Sequence, residues 1–363
     1  MKLQSVFGII AAISLMLTSC FMPEEESPTP PAQDLVPDAT VAPVEESDDV
    51  SDMYVHFIDV GQADSILVQS DGENMLIDGG NVKDSSLVVS YLKDCGVSTI
   101  DYMICSHAHE DHGGGLSGPV RVYDVKNVLA PKTGSDAEFY QDFLGGVYAR
   151  GLTIKTPEVG YSFKIGDATA TVVGPVTEDT DEENNTSIVI KLVNGNNSFL
   201  FTGDAEIEEE SDIVASGYDI SADVLKVGHH GAKNSSSYSF LREVMPKYAV
   251  ISVGKDNTYG HPTDAALSRL RDVGAQIYRT DLQGHVVAKS DGETITFTTK
   301  KNATINTNPT VTEEAEENYI GNKNSKKLHR PSCSSLPKES NRKYFSDMAE
   351  ALSEGYEQCK NCF

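Results

Sequence analysis

Residues 106–115 read SHAHEDHGGG, and they follow an apolar run at 101–106 that predicts a β-strand. Four potential metal ligands fall within six residues of this stretch: His107, His109, Asp111 and His112. One face of a helix or strand cannot present all four, whereas a loop can, because its glycines permit tight turns. Imidazole and carboxylate together suit Zn²⁺, and also Mn²⁺ or Fe²⁺. The stretch therefore predicts a metal-binding loop at the end of a strand.

Strands and helices alternate on both sides of this loop. Short β-rich runs bounded by turn residues predict strands at 54–60, 65–69, 74–78, 187–193, 198–201, 223–227, 248–253, 276–279 and 294–298. Helical apolar spacing predicts helices at 85–95, 205–216, 237–244 and 265–273. Strands interleaved with helices, some of them in hairpins, predict an α/β domain of packed layers with mixed sheets.

The composition limits the class of protein. The chain has 363 residues, enough for two domains or one large domain with appendages, and 39% are hydrophobic, which excludes wholesale disorder. Six cysteines are too few for a scaffold built on disulfides. The net charge of −26 repels polyanions, so broad electrostatic coating of DNA is disfavoured unless one region departs from the average.

The N-terminal residues predict an export signal. Lys2 precedes an apolar stretch at 6–17, and residues 17–20 read Leu-Thr-Ser-Cys, which resembles the lipobox of bacterial lipoproteins. We therefore expect a lipoprotein signal peptide at 1–20 and a lipid on Cys20. This lipid would anchor the protein to the cell membrane, facing outside the cytoplasm, without spanning it. An ordinary signal peptide is the alternative. Residues 21–51, acidic and rich in proline, predict a disordered linker.

The predicted metal loop and three further motifs carry a family resemblance. The pattern His-x-His-x-Asp-His after a strand resembles the metallo-β-lactamase superfamily of binuclear hydrolases. Other motifs occur in the family's order: Asp78 in LIDGG at 76–80, Asp204 in FTGD at 201–204 and His230 in VGHHG at 227–231. The joint match implies an α/β fold, the αββα sandwich of that superfamily, for a hydrolase domain at 52–301.

A narrower resemblance covers roughly residues 53–300. VHFIDVGQADS at 55–65, NNTSIVIKL at 184–192, LKVGHHG at 225–231 and ISVGKDNTYGHP at 251–262 look like the hydrolase domain of ComEC-like competence proteins. In the full competence protein this domain accompanies a transmembrane channel. We expect a detached, tethered relative here, because no apolar run of about 20 residues follows the signal.

The resemblance also implies roles for individual positions. One divalent ion, Zn²⁺ or Mn²⁺, would be held by His107, His109 and Asp204, and a second by Asp111, His112, Asp204 and His230. Asp78 would orient a ligand histidine. A metal-bound hydroxide would attack the substrate. The catalytic residues would be Asp111, His229, which faces the substrate, and His261, a second candidate for that role or a ligand.

One departure from the wider superfamily concerns the first metal. No histidine lies between His112 and His229, so the usual third histidine of that site is absent. Asn184, Asn185 or Ser187 occupies roughly that stretch, as in the competence-like group. Water and substrate would then complete the first metal site, or the pocket would work with a single ion.

Residues 318–363 predict a small C-terminal zinc-binding module, after a polar, acidic linker at 302–317. The pairs His329-x-x-x-Cys333 and Cys359-x-x-Cys362 make a four-ligand tetrahedral pattern for one structural Zn²⁺. This stretch resembles the zinc module of Ada-type DNA-repair proteins. Those modules use four cysteines, so His329 argues against methyl-accepting chemistry. The alternative is a Cys359–Cys362 disulfide with Cys333 unpaired.

The same segment differs in charge from the rest of the chain. Residues 318–363 contain eight Lys or Arg and five Asp or Glu, a net charge of +3. Such a surplus suits a polyanion such as DNA or teichoic acid, and a solvated lysine-rich face is the alternative.

Three functions are compatible with the sequence. The first is a metal-dependent phosphodiesterase or nuclease that acts on DNA, or on another phosphodiester polymer, outside the cell membrane. The second is an esterase of the same fold, such as one that removes phosphorylcholine from teichoic acid. The third is a non-catalytic lipoprotein that binds DNA or cell wall. The sequence does not indicate an oligomeric state.

Overall fold

The computed structural model describes residues 50–177, 180–308, 319–331, 333–345 and 348–363. The predicted signal peptide at 1–20, including Cys20, lies outside the described residues. So do nearly all of the predicted linker at 21–51 and residues 309–317 of the second linker. Among the described residues, no helix combines the length and the apolar character that crossing a membrane requires.

Fifteen strands run through the described part of the larger domain. They are β1 (Met53–Phe57), β2 (Ile66–Ser70), β3 (Glu73–Ile77), β4 (Thr99–Ile104), β5 (Asp124–Leu129), β6 (Ile154–Lys155), β7 (Ser162–Ile165), β8 (Ala168–Gly174), β9 (Val189–Asn194), β10 (Asn197–Phe201), β11 (Val224–Lys226), β12 (Tyr248–Ile251), β13 (Gln276–Arg279), β14 (Val286–Ser290) and β15 (Ile295–Thr299).

Eight α-helices lie between these strands. They are α1 (Ser85–Asp94), α2 (Glu110–Gly113), α3 (Ser117–Val122), α4 (Glu138–Ala149), α5 (Ile207–Ser216), α6 (Tyr238–Val244), α7 (Asp264–Asp272) and α8 (Thr280–Gln283). Single 3₁₀ turns occur at Val82–Asp84, Gly114–Leu116, Glu183–Thr186 and Gly228–Gly231.

The strands form two mixed sheets. The first has the order β15-β14-β1-β2-β3-β4-β5-β6, and the second has the order β13-β12-β11-β10-β9-β8-β7. In the first sheet β3 to β6 run parallel, and in the second β10 to β13 do. The remaining pairs are antiparallel, including the predicted hairpin of β9 and β10, with Leu192 opposite Phe199.

Alternating side chains divide the interior into three layers. In β10, Phe199 and Phe201 face the core between the two sheets, whereas Leu200 faces the helices on the other side. The first sheet packs α1, α3 and α4 on its outer face, and the second packs α5, α6 and α7. This is the predicted α/β fold, with helices on both outer faces of two packed sheets, and the prediction is confirmed.

The described C-terminal residues form the predicted small module. A four-stranded sheet has the order β18-β16-β17-β19, made of β16 (Tyr319–Asn322), β17 (Lys327–His329), β18 (Arg342–Phe345) and β19 (Glu357–Gln358), with α9 at Met348–Ser353. Its core is small, built around Leu328, Phe345 and Tyr356. So small a core needs additional support, and a bound metal supplies it in modules of this size.

The module packs against α6 and α7. Arg330 Nη1 lies 2.8 Å from Asp272 Oδ2, and the Tyr238 hydroxyl donates a hydrogen bond to the same carboxylate. The Arg330 guanidinium also lies 5.5 Å from the centroid of the Tyr238 ring. These contacts join the module to the helix that follows the His229-His230 turn.

The packing between the two sheets allows a prediction of how much stability a cavity there would remove. Phe199 is fully buried, so Phe199→Ala should lower the free energy of unfolding by about 3–5 kcal/mol, the range for large-to-small core substitutions. Tyr148→Ala is the matched control, because Tyr148 is 60% exposed on α4 and should change stability by less than about 0.5 kcal/mol. Urea unfolding of both variants measures the difference, and equal losses would contradict this assignment of the core.

Candidate metal centre

Four predicted ligands come together at one edge of the sandwich. One ligand atom each from Asp111, His112, Asp204 and His230 lies within 4.8 Å of the others. His112 Nε2 is 3.2 Å from Asp204 Oδ1, and His230 Nε2 is 3.2 Å from Asp111 Oδ2. His230 Nε2 is also 3.6 Å from Asp204 Oδ2. Two imidazoles and two carboxylates around one point make a donor set that suits Zn²⁺ or Mn²⁺.

The ends of parallel strands explain why these side chains meet. Asp111 and His112 lie on α2 after β4, Asp204 follows β10, and His230 follows β11. The carboxyl ends of parallel strands open towards the same edge of a sheet, where loops can converge on a ligand. Each sheet therefore supplies half of the group.

Glycines let the loop at 78–80 approach α2 and the turn after it closely. Gly79 N donates a hydrogen bond of 2.8 Å to His112 O, and Gly115 N donates one of 2.8 Å to Gly80 O. A Cβ atom on Gly115 would lie 1.8 Å from Gly79 O, so no larger residue fits there. The contact holds the loop that carries Asp78 against α2.

His229 and His230 occupy a strained turn. Their φ angles are 48° and 53°, in the left-handed region that non-glycine residues rarely adopt. Such residues persist only where their surroundings enforce the conformation, and they are common at functional sites. Here His230 Nδ1 donates a 2.9 Å hydrogen bond to Ser252 O, which turns Nε2 towards Asp111 and Asp204.

Asp78 lies directly behind His112. His112 Nδ1 donates to Asp78 Oδ2 at 2.8 Å, while Ser106 N donates to Asp78 Oδ1 at 2.7 Å and Ser106 Oγ to Asp78 Oδ2 at 2.7 Å. A proton held on Nδ1 leaves the Nε2 lone pair free for a metal. This is the position that the predicted orienting role requires.

Unpaired buried atoms show that the group fits a cation. His112 Nε2 and Asp204 Oδ1 are both buried, and neither makes a hydrogen bond despite their separation of 3.2 Å. Buried polar atoms without partners are costly, and a divalent ion would satisfy both. The residues present therefore fit a metal ion.

The charges of the group lead to the same conclusion. Burial alone would lower the pKa of His112, but Asp204 and Asp78 raise it well above its ordinary value. Burial would raise the pKa of Asp204, but His112 and His230 hold it well below the usual carboxyl range. Burial opposes protonation of His230 too, yet Asp204 and the carboxylates beside it raise its pKa to about 10. Carboxylates that attract protons to buried imidazoles this strongly also attract a divalent cation.

The other predicted ligand set is arranged differently. His107 and His109 are not part of the four-residue group, and His107 Nε2 lies 3.0 Å from His109 Nδ1. His109 Nε2 lies 3.0 Å from Glu183 Oε2, an acid that the sequence analysis did not single out. Ser187 Oγ, from the stretch that lacks the third histidine, is 3.4 Å from His107 Nδ1. The assignment of a second ion to His107, His109 and Asp204 stays a prediction.

The four-residue group opens into a cleft of about 300 Å³. His229 and His261 both line it, with ring centroids 5.6 Å apart. His229 Nε2 is 3.8 Å from Asp204 Oδ2, and its Nδ1 is 3.3 Å from Glu206 Oε1. Burial, with the nearby His229, lowers the pKa of His261 to about 4, so this ring is neutral at physiological pH.

The sequence analysis above missed three residues beside the site. It assigned no role to Glu206, which lies next to His229, or to Lys226 and Asp64, which are both buried. A lysine between Leu225 and Val227 in an apolar strand is a signal for a buried charge. The partner of such a charge comes from a distant segment and cannot be found by spacing.

The C-terminal module has a second metal-binding group. His329, Cys333, Cys359 and Cys362 are all buried, with one ligand atom of each within 4.8 Å of the others. All three cysteines are free thiols, so the alternative Cys359–Cys362 disulfide is absent from the described residues. Three sulfurs and one imidazole make a closed four-ligand set of the structural zinc type.

Comparison with known proteins matches both parts of the chain. Residues 58–255 match the metallo-beta-lactamase superfamily, and residues 300–363 match the metal binding domain of Ada. ComE operon protein 3 of Bacillus subtilis is 31% identical over 265 residues, 68% of this chain and 34% of that protein. Competence protein ComA of Neisseria gonorrhoeae is 32% identical over 231 residues, 62% and 30% of the two chains. The chain thus spans about a third of the length of these curated relatives.

The solved structures that match this chain include a metallo-beta-lactamase fold protein. The metallo-beta-lactamase fold protein YhfI from Bacillus subtilis has a TM-score of 0.42 and 15% identity to this chain. The alignment covers 62% of this chain and 95% of YhfI.

Single substitutions should separate the two metal-binding groups. Asp204→Asn should remove the ion from the His/Asp group and leave zinc in the Cys module, whereas Cys362→Ser should do the reverse. Elemental analysis of each dialysed variant, after loading with Mn²⁺ and Zn²⁺, gives the ions bound per chain. Wild-type Mn²⁺ content in Asp204→Asn would contradict the assignment of the His/Asp group.

Proposed function

Since the chain belongs to the metallo-β-lactamase superfamily, we propose that it is a metal-dependent phosphodiesterase that cleaves DNA outside the cytoplasm, tethered by a lipid on Cys20. The observation that carries the proposal is the group of Asp111, His112, Asp204 and His230 at the base of an open cleft. One of the two relatives above is named a competence protein, and competence is the uptake of DNA, which supports DNA as the substrate.

Hydrolysis needs an activated water and a donor for the leaving group. A divalent ion held by the four-residue group supplies Lewis acidity for the first task. His229 suits the second, because its side chain is 24% exposed in the cleft and close to Asp204. Glu206 Oε1 lies 3.3 Å from His229 Nδ1, on the side of the ring opposite Nε2, and its negative charge would stabilise the protonated imidazole that donates to a leaving group. His261, neutral and beside His229, lies within reach of the same substrate atoms.

An exposed aromatic ring in the cleft favours a nucleic acid over a polyol phosphate. Tyr259 lines the cleft, is 72% exposed, and stacks on His261 at an interplanar angle of 28°. An exposed ring beside a reacting phosphate can stack on a nucleobase, and such stacking contributes about 1–3 kcal/mol per base. A polyol phosphate backbone without rings would not stack on Tyr259, whereas the quaternary ammonium of phosphorylcholine would gain a cation–π contact there.

The cleft also indicates where positive charge must come from. The described residues that line it include Glu110 and no Lys or Arg. Apart from its histidines, the cleft therefore offers a phosphodiester positive charge only through bound metal, and the surplus of bases at 318–363 would supply attraction from outside it. We include delivery of a strand by the C-terminal module in the proposal.

Cleavage of end-labelled single- and double-stranded DNA tests the proposed function. The Mn²⁺-loaded protein should cleave, and Asp111→Ala should abolish cleavage because it removes a ligand carboxylate. Asp52→Ala is the control, because Asp52 is an exposed aspartate paired with Lys289 before β1 and does not line the cleft. Cleavage by Asp111→Ala at the wild-type rate would contradict the proposal. No cleavage by metal-loaded wild type would instead favour a wall polymer or a small phosphodiester.

The stacking role of Tyr259 has its own test. Tyr259→Ala should raise KM for a short oligonucleotide by about 5- to 100-fold with a smaller change in kcat, the loss expected for one stacked base. Tyr259→Phe, which keeps the ring, should retain the wild-type KM. An oligonucleotide with abasic sites around the cleaved phosphate provides the matched substrate, on which wild type and Tyr259→Ala should be equal. An unchanged KM for the normal oligonucleotide would refute stacking.

A further inference from the structure

A fully buried ion pair lies behind the four-residue metal group. Lys226 Nζ is 2.7 Å from Asp64 Oδ2, and the two side chains are 0% and 1% exposed. Lys226 is the last residue of β11, and His230 lies in the turn that follows this strand. Asp64 lies in the loop between β1 and β2. Burying an ion pair costs desolvation that its own attraction often fails to recover, so the pair is poorly explained by stability alone.

Asp64 contacts two of the four metal-binding residues. Its Oδ1 is 3.3 Å from His230 Nδ1, and this oxygen is buried with no hydrogen-bond partner of its own. Its backbone N donates a 3.0 Å hydrogen bond to Asp111 O. One residue thus touches ligands that come from different sheets.

Lys226 contacts both Asp64 and the backbone just before His230. Its ammonium donates a 2.8 Å hydrogen bond to Val227 O, immediately before the Gly228–Gly231 turn that carries His230. The same ammonium neutralises Asp64, which would otherwise add a buried negative charge beside Asp111 and Asp204. Lys226 therefore fixes the backbone at Val227 and neutralises the charge of Asp64.

The contacts at Nδ1 determine the tautomer of His230. Nδ1 faces Ser252 O at 2.9 Å and Asp64 Oδ1 at 3.3 Å, and both of these atoms only accept. When a cation occupies Nε2, the one remaining proton therefore resides on Nδ1, where both contacts favour it. Without a cation Nε2 also faces an acceptor, Asp111 Oδ2 at 3.2 Å, and carries a proton as well. Asp78 does the same for His112, so each of these histidines has a buried carboxylate behind it.

We propose that Asp64 and Lys226 are positioning residues that hold His230 in its metal-binding tautomer and orientation. The inference rests on the proposed function only in treating His230 as a ligand, and it makes no assumption about the substrate. An Asn at position 64 would have to present its amide either to Lys226 or to His230 Nδ1. If the amide faces the histidine, two donors meet and the Nε2–H tautomer is favoured, which blocks the metal.

Mn²⁺ binding by the full-length protein tests the proposal. The thiolate module is first filled with one equivalent of Zn²⁺, because thiolates prefer zinc and carboxylates accept Mn²⁺. Titration with Mn²⁺, followed by electron paramagnetic resonance of the free ion, then reports on the His/Asp group alone. The proteins compared are wild type, Asp64→Asn, Lys226→Met and the double variant, each with its urea unfolding midpoint measured.

A positioning role and a purely structural role give different results. Each single variant leaves one buried charge unpaired and should lower the urea midpoint, whereas the double variant should recover much of that loss. We expect Mn²⁺ affinity to stay about 10- to 100-fold weaker in Asp64→Asn and in the double variant, the usual effect of removing a residue that orients a ligand. In the double variant the urea midpoint would recover while the Mn²⁺ affinity stayed low. If the pair only stabilised the fold, both would recover together.

A second ion pair provides the matched control. Arg279 Nη2 lies 2.7 Å from Asp281 Oδ2, with side chains 14% and 8% exposed, and neither residue belongs to the metal-binding group. Asp281→Asn should lower the urea midpoint and leave Mn²⁺ affinity unchanged.

Three outcomes would overturn the inference, and a fourth would separate it from the proposed function. Wild-type Mn²⁺ affinity in Asp64→Asn, or its return in the double variant together with stability, would overturn it. Absence of Mn²⁺ binding by wild type would overturn it as well, because His230 would have no ion to bind. If wild type binds Mn²⁺ with the expected variant effects but cleaves no phosphodiester, the proposed function fails while the positioning role is supported.

Discussion

Repulsion among buried carboxylates is the constraint on which the site depends. Asp64, Asp78 and Asp204, all buried, and the half-buried Asp111 gather where two sheet edges meet, with little water to screen their charges. The fold compensates two of them with its own groups, Lys226 for Asp64, and Ser106 with His112 for Asp78. Asp111 and Asp204 remain for a divalent cation. A divalent cation would thus neutralise the two carboxylates that the protein's own groups leave.

The two-sheet architecture makes this arrangement possible. Alternation in strands such as β10 buries one row of side chains between the sheets and leaves the strand ends free to carry polar loops. Close glycine contacts, as between Gly79 and Gly115, then bring the loops near enough for short-range electrostatics to act. Apolar packing sets the frame, and hydrogen bonds to Ser252 O and Asp78 set the direction of each imidazole.

The sequence predicted the frame and the principal ligands, because both leave local signals. Period-two apolar runs located β1 to β4 and β9 to β13, and the SHAHEDHGGG stretch with Asp204 and His230 located the four-residue group. Strands β5 to β8, strand β14 and helix α4 were not predicted. Half of the residues of β5 are exposed and β6 has only two residues, but β7 and β8 do alternate, and their pattern was overlooked. The pairing of Asp64 with Lys226 was beyond reach, since sequence spacing carries no information about partners in distant segments.

The order of the ligands along the chain has a consequence for how the protein matures. Asp111 and His112 are synthesised long before His230, and they lie on a different sheet. A chain that has completed only its first half has no full coordination sphere, and a site absent from the unfolded state cannot capture an ion early. Metal acquisition therefore comes after the second sheet has paired. The ion that the protein carries is then chosen by the compartment in which folding ends, because availability there, rather than intrinsic affinity, decides among divalent metals.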